Sequence, residues 1–175
     1  MKLTEHFTKE ELIYSDTAKR LNINNEPSEV QLKTLIHTCQ YFLEPLRKLL
    51  NDNFKSYKGL NVKQVIIKIT SGFRCNKLNS KIGSKSTSQH IKGEAVDFDV
   101  ILILEDGSRK TLSYLETYYF IKKQVMLNKI SVDQLICESS NGVYWVHASY
   151  KAAGSTVNRK QFMLYENGTY MIDKV

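Results

Sequence analysis

Between residues 30 and 50 the apolar positions fall at Leu32, Leu35, Cys39, Phe42, Leu46 and Leu49, spacings of three and four that gather one buried face along a helix. Pro45 lies inside this run and predicts a kink, because its ring meets the carbonyl four residues back. Upstream, FTKEELIYSDTAKRL sets Thr8 three residues before Glu11, a spacing at which side chain and backbone satisfy each other's free groups; it predicts a first short helix over about 8–21. Beyond residue 60 the period shortens. KQVIIKITSGF, residues 63–73, carries Val65, Ile67 and Ile69 on one parity and reads as a strand ending at Ser71-Gly72. From Ala95 the chain alternates again: Val96, Phe98 and Val100 share one face, and Ala95, Asp97 and Asp99 the other.

EDGSRK supplies an Asp-Gly turn after that strand, and Ser113 with Glu116 repeats the helix-start spacing ahead of YLETYYFIKKQVML. Two hairpins complete the chain: DQLICESSNGVYWVHASY turns at Asn141-Gly142, and KQFMLYENGTYMIDK turns at Asn167-Gly168. Helices first, then mostly antiparallel strands with one inserted helix, make an α+β fold in which the N-terminal helices pack on a mainly antiparallel sheet. We expect residues 1–175 to form one domain, with 1–50 as a helical lead-in and 63–175 as a sheet-based core.

A chain of 175 residues suffices for a real core, since domains of this size bury roughly 70% of the surface of the unfolded chain. No apolar run reaches eighteen residues, and the opening MKLTEHFTKEEL holds three acids where a signal peptide needs an apolar stretch. The expectation is a protein made in the cytoplasm without a signal peptide, with no membrane insertion, acting as a monomer. Cys39, Cys75 and Cys137 are too scattered for a disulfide framework and read as small reduced core residues. A net charge of +7 favours an anionic partner, such as an anionic wall polymer. No arginine-rich run, zinc finger or RNA-binding aromatic motif accompanies it, so nucleic acid is not expected.

SQHIKGEAVDFDV, residues 88–100, sets His90 seven positions before Asp97, with Gly93 and Ala95 between them. Small residues there predict a backbone that approaches a metal and substrate closely. Histidine and aspartate both ligate zinc, and a third protein ligand would complete a site with one open position. His147, in YWVHASY, is the natural third. Trp145 and His147 share one face of that strand, and a two-residue turn at Asn141-Gly142 sets Glu138 opposite Trp145 and diagonal to His147, about 7–8 Å away between backbones. A carboxylate so placed can take a proton from water that zinc has acidified. Tyr144 and Trp145 are candidate pocket walls, whereas His6 and His37 fall in the helical part and read as ordinary structural residues.

The set Ser88, His90, Gly93, Ala95 and Asp97, followed by Trp145-Val146-His147, resembles the zinc D-alanyl-D-alanine peptidases that cleave peptidoglycan, including their phage and prophage members. SGFRCNKLN and the lead-in from LTEHFTKEEL through LEPLR extend the resemblance over most of the chain. It implies one Zn²⁺ held by His90, Asp97 and His147, Arg74 as the cation facing the substrate's carbonyl or carboxylate, and Ser88 and Trp145 as pocket residues. It implies hydrolysis of a peptide bond in the peptidoglycan stem, as endopeptidase or carboxypeptidase, by a phage or prophage lysis enzyme acting on the wall after release or as part of a virion. Relatives often carry the catalytic glutamate three residues before the last histidine, where this chain has Tyr144; Glu138 is the candidate base instead. The rival expectation is an inactive wall-binding or virion component that retains the fold.

Overall fold

A computed structural model describes residues 1–140, 142–154, 157–166 and 168–174. The first helix, α1 (Lys9–Ile13), starts as the sequence predicts: Thr8 Oγ1 accepts the Glu11 N–H, and Glu11 Oε2 accepts the Thr8 N–H. It does not run to residue 21. Tyr14 is extended, and the Ser15 hydroxyl captures the Ala18 N–H to begin a separate helix, α2 (Asp16–Arg20). A serine that caps a new helix competes with continuation of the old one, so the expected single helix becomes two five-residue ones.

The long amphipathic segment folds as α3 (Glu29–Thr38), a π-helical turn (Cys39–Leu43) and α4 (Glu44–Asn53). Pro45 explains the middle piece. Its ring would press on the Tyr41 carbonyl in an unbroken α-helix, and the chain widens just before it, with the Glu44 N–H donating to Cys39 O five residues back.

Among the described residues the sheet has eight strands: β1 (Ser56–Tyr57), β2 (Leu60–Ser71), β3 (Ala95–Leu104), β4 (Arg109–Thr111), β5 (Gln134–Ser140), β6 (Val143–Ser149), β7 (Gln161–Glu166) and β8 (Thr169–Ile172). They lie in the order β1-β2-β3-β6-β5-β7-β8, with β4 beside the far half of β3. All pairings are antiparallel except β5 with β7, which is parallel. Both predicted hairpins are present as strand pairs, with Ser140 opposite Val143 and Glu166 opposite Thr169; Asn141 and Asn167 lie outside the described residues.

One face of the sheet makes the core. Val65 and Ile67, Val96 and Phe98, Val146 and Ala148, and Leu135 and Cys137 pack there with α3, α4 and α6 (Tyr114–Met126) in a single buried cluster that reaches from Phe7 to Phe162. The alternation in β3 thus sends Asp97 and Asp99 to the opposite face, away from the helices. Among the described residues no helix is long and apolar enough to cross a membrane.

Candidate metal centre

Strand register brings the distant residues together. In the β3–β6 pair Asp97 stands directly opposite His147, and on the other side of β3 it stands opposite Ser71 of β2. A bulge between Ile69 and Ser71 turns the end of β2 beside the site. His90 arrives from a short 3₁₀ turn, Gln89–Lys92, that doubles back into β3 through Gly93 in the left-handed conformation (φ 76°).

The backbone before Arg74 holds His90 in place. His90 Nδ1 donates to the Gly72 carbonyl at 2.6 Å, which leaves Nε2 of the neutral ring as a lone pair facing inward. Gly72 itself is pressed against α1: a Cβ there would sit 2.2 Å from Leu12 O, and the neighbouring Phe73 N–H donates to that same oxygen at 2.7 Å.

His90 Nε2, His147 Nδ1 and Asp97 Oδ1 converge, separated by 3.2 Å between the two histidines, 3.3 Å from His90 to Asp97 and 2.9 Å from His147 to Asp97. Ligands about 2.0–2.1 Å from a tetrahedral zinc stand roughly 3.3 Å from one another, so the spacing of these donors suits such an ion. Their chemistry suits it too. Burial pushes the His90 pKa below its ordinary value against the pull of Asp97, so the ring stays neutral. Burial alone would raise the Asp97 pKa, but His90 and His147 outweigh it and hold the carboxyl well below the usual range. Two imidazoles and an ionised carboxylate, all buried, present more lone pairs than protons to one point.

Arg74 borders this cluster. Its Nη2 donates to Asp97 Oδ2 at 2.8 Å and its Nε to Ser71 Oγ at 3.0 Å, so the guanidinium braces the oxygen that Oδ1 leaves behind. The cluster opens into a cleft of about 1380 Å³ whose walls include Arg74, Ser88, His90, Asp97, Glu138, Trp145 and His147, every site residue expected from the sequence. Glu138 is opposite Trp145, as a two-residue turn requires, and is half-buried; burial raises its carboxyl pKa, with His147 pulling the other way. Ser88 starts the 3₁₀ turn and bonds no cap group with its hydroxyl. Tyr144, three residues before His147, is exposed and stacks on Tyr114 at 6.2 Å.

Two expectations need correction. Gly93 does not let backbone near a metal: its left-handed φ and the closeness of Gln31 O, 2.9 Å from a Cβ placed there, show that it seats the 3₁₀ turn against α3. Cys75 is only partly buried: it packs at the edge of the core and caps α5 (Asn76–Lys81), its Sγ accepting the Leu78 N–H, while Cys39 and Cys137 are buried as expected. Sequence reasoning also missed Gly72, whose carbonyl orients His90, and Asp133, which is fully buried and receives the Gln89 amide beside His90. The Ser-Gly after a strand was visible as a turn; nothing local marked its carbonyl as an acceptor.

The family model for Peptidase M15 matches residues 5–123. That segment contains Arg74, Ser88, His90 and Asp97 and ends before Glu138, Trp145 and His147, which the β3–β6–β5 register brings to the same cleft. Among curated proteins none matches the chain.

Proposed function

The chain belongs to the peptidase M15 family, and from that membership we propose that it hydrolyses a peptide bond in peptidoglycan stem peptides, with one zinc ion held by His90, Asp97 and His147. The observation that carries this reading is the convergence of three buried donor atoms, from a 3₁₀ turn and two strands, at the floor of a cleft that Glu138 also lines. A zinc ion so held supplies Lewis acidity, polarising a carbonyl and making water a nucleophile near neutral pH.

The chain's own residues do the rest. Glu138 takes the proton of the attacking water and passes it to the leaving amine, and its burial-raised pKa makes it a better base than an exposed carboxylate. Arg74 keeps Asp97 ionised and aimed, and its position in the cleft wall lets the guanidinium steady a substrate carbonyl or carboxylate. Ser88 and Trp145 bound the space the peptide occupies. We take residues 1–175 as one peptidase domain, supported by the large buried cluster that joins lead-in and sheet. We assign it to phage or prophage lysis, supported by the likeness of its lead-in to phage members.

Digestion of purified peptidoglycan, with products read by mass spectrometry, tests this. Wild type should release stem fragments, His147→Ala none, and Glu138→Ala roughly 10²–10⁴-fold fewer per unit time. Undiminished cleavage by His147→Ala refutes the metal reading. Binding to the wall with no cleavage by wild type identifies an inactive wall-binding component instead.

A further inference from the structure

The turn that carries Arg74 is gripped from behind by the helical lead-in. Asn25, in the extended stretch between α2 and α3, is buried and spends its whole amide on that contact. Its Nδ2 donates to Ile13 O at 2.8 Å and to Phe73 O at 3.0 Å, and its Oδ1 accepts the Cys75 N–H at 2.7 Å. Two carbonyls and one N–H around the amide fix which end is which, and an ionised aspartate of the same shape would have no proton to donate.

The bonds fall on either side of one residue. The Phe73 carbonyl belongs to the peptide unit before the Arg74 Cα, and the Cys75 N–H belongs to the unit after it, so one side chain holds both. The Arg74 N–H adds a bond to His90 O at 3.3 Å. Each peptide unit is a plane, and two fixed planes fix the φ and ψ between them and the direction in which the Arg74 side chain leaves the backbone. At its far end the guanidinium donates to Asp97 Oδ2 at 2.8 Å and Ser71 Oγ at 3.0 Å and lies 3.3 Å from His90 Nε2. A rotation of about 10–20° at the root of so long a side chain is already the limit a positioned site tolerates.

Asn51 of α4 shows the same bond pattern without the site. Its Nδ2 donates to Arg47 O at 2.9 Å and Val65 O at 2.8 Å, and its Oδ1 accepts the Val65 N–H at 2.8 Å. The residue it holds, Val65, points into the core. The two asparagines thus differ in what they hold, not in how.

We propose that Asn25 is a positioning residue of the metal centre: it sets the backbone of Arg74 and thereby aims the guanidinium at Asp97. This rests on the metal-binding reading above and gives the lead-in a part in it.

The test is a zinc titration against a chromophoric chelator, with thermal melts, on wild type, Asn25→Ala, Asn51→Ala, Arg74→Ala and the Asn25→Ala/Arg74→Ala double variant. Both asparagine variants should melt below wild type, each having lost three bonds. Only Asn25→Ala should also lose zinc affinity, by about tenfold, the small end of the range for lost support of a metal ligand. In the Arg74→Ala background the same substitution should change affinity by less than about twofold, because residues that act through one another are not additive. Affinity of Asn25→Ala within about twofold of wild type, an equal loss in Asn51→Ala, or the full tenfold loss in the Arg74→Ala background overturns the positioning role. Asn25→Ser, which keeps one donor, is read by the same criteria where Asn25→Ala does not fold. A wild type that binds no zinc overturns the metal centre and this role with it; the expected coupling with no cleavage of peptidoglycan keeps the role of Asn25 and removes the hydrolase.

Discussion

Gly72→Ala should damage both stability and metal affinity, for a reason no side-chain contact reveals. The added Cβ would lie 2.2 Å from Leu12 O and 3.0 Å from Leu12 C and Cα, all backbone atoms that no rotamer change can move aside. Ordinary contact begins at 3.4 Å, so the carbonyl must retreat by 1.2 Å, the difference between 3.4 and 2.2. That displacement breaks the 2.7 Å bond from Phe73 N–H to the same oxygen. Overpacking costs about 1–3 kcal/mol and the lost bond about 1, together about 2–4 kcal/mol. In a chain of this length each kcal/mol moves Tm by about 2–4 °C, so the variant should melt roughly 5–15 °C lower. The Gly72 carbonyl also fixes the His90 ring, and displacing such a partner typically weakens metal binding by about 10–100-fold. Thermal melts by circular dichroism and zinc titration against a chromophoric chelator measure the two effects. Gly107→Ala is the control: its φ of 83° brings backbone strain of about 1–2 kcal/mol, but nothing lies within 4 Å of its Cβ and no site residue depends on it. A Gly72→Ala protein that melts within about 2 °C of wild type and binds zinc equally well would refute the argument.

The metal-free protein should lose stability as pH falls below about 6.5, because the unfolded chain then protonates a histidine that buried His90 leaves neutral; more protons on the unfolded state means stability rises with pH across that window. Asp97, depressed in the fold, adds a second loss below about 4, and urea titrations at successive pH values should show both; stability flat from pH 7 to 5 would contradict the first. Ellman's reagent should label one thiol of the native protein quickly, Cys75, while Cys39, its pKa pushed up to about 12 by burial, and Cys137, raised by the same cause, react only on unfolding. Rapid labelling of all three would mean that the core is open.

What could be read along the chain was whatever has a local signature. The helix starts at Thr8 and Ser113 are capping boxes in the structure because the motif closes within four residues. The core face of β3 follows from alternation alone. The break at Ser15 and the π-helical turn at Cys39–Leu43 were hidden because serine and proline each have two outcomes, and neighbouring packing chooses between them. The parallel pairing of β5 with β7 has no local mark at all; it depends on a connection whose direction only the folded sheet determines.

The site shows the same division more sharply. Parity was enough to put Asp97 on one face of β3 and His147 with Trp145 on one face of β6, but only the register makes Asp97 and His147 neighbours. Glu138 depended on a single further condition, the length of the turn. With Ser140 opposite Val143 the loop has two residues, and Glu138 falls beside Trp145 in the cleft while Cys137 points into the core. One residue more would exchange them, burying a carboxylate among Phe98, Val146 and Leu135 and turning a thiol toward the metal row. The cost of a buried unpaired charge is what forbids that slip, so the hydrophobic pattern that builds the core also delivers the carboxylate to the cleft.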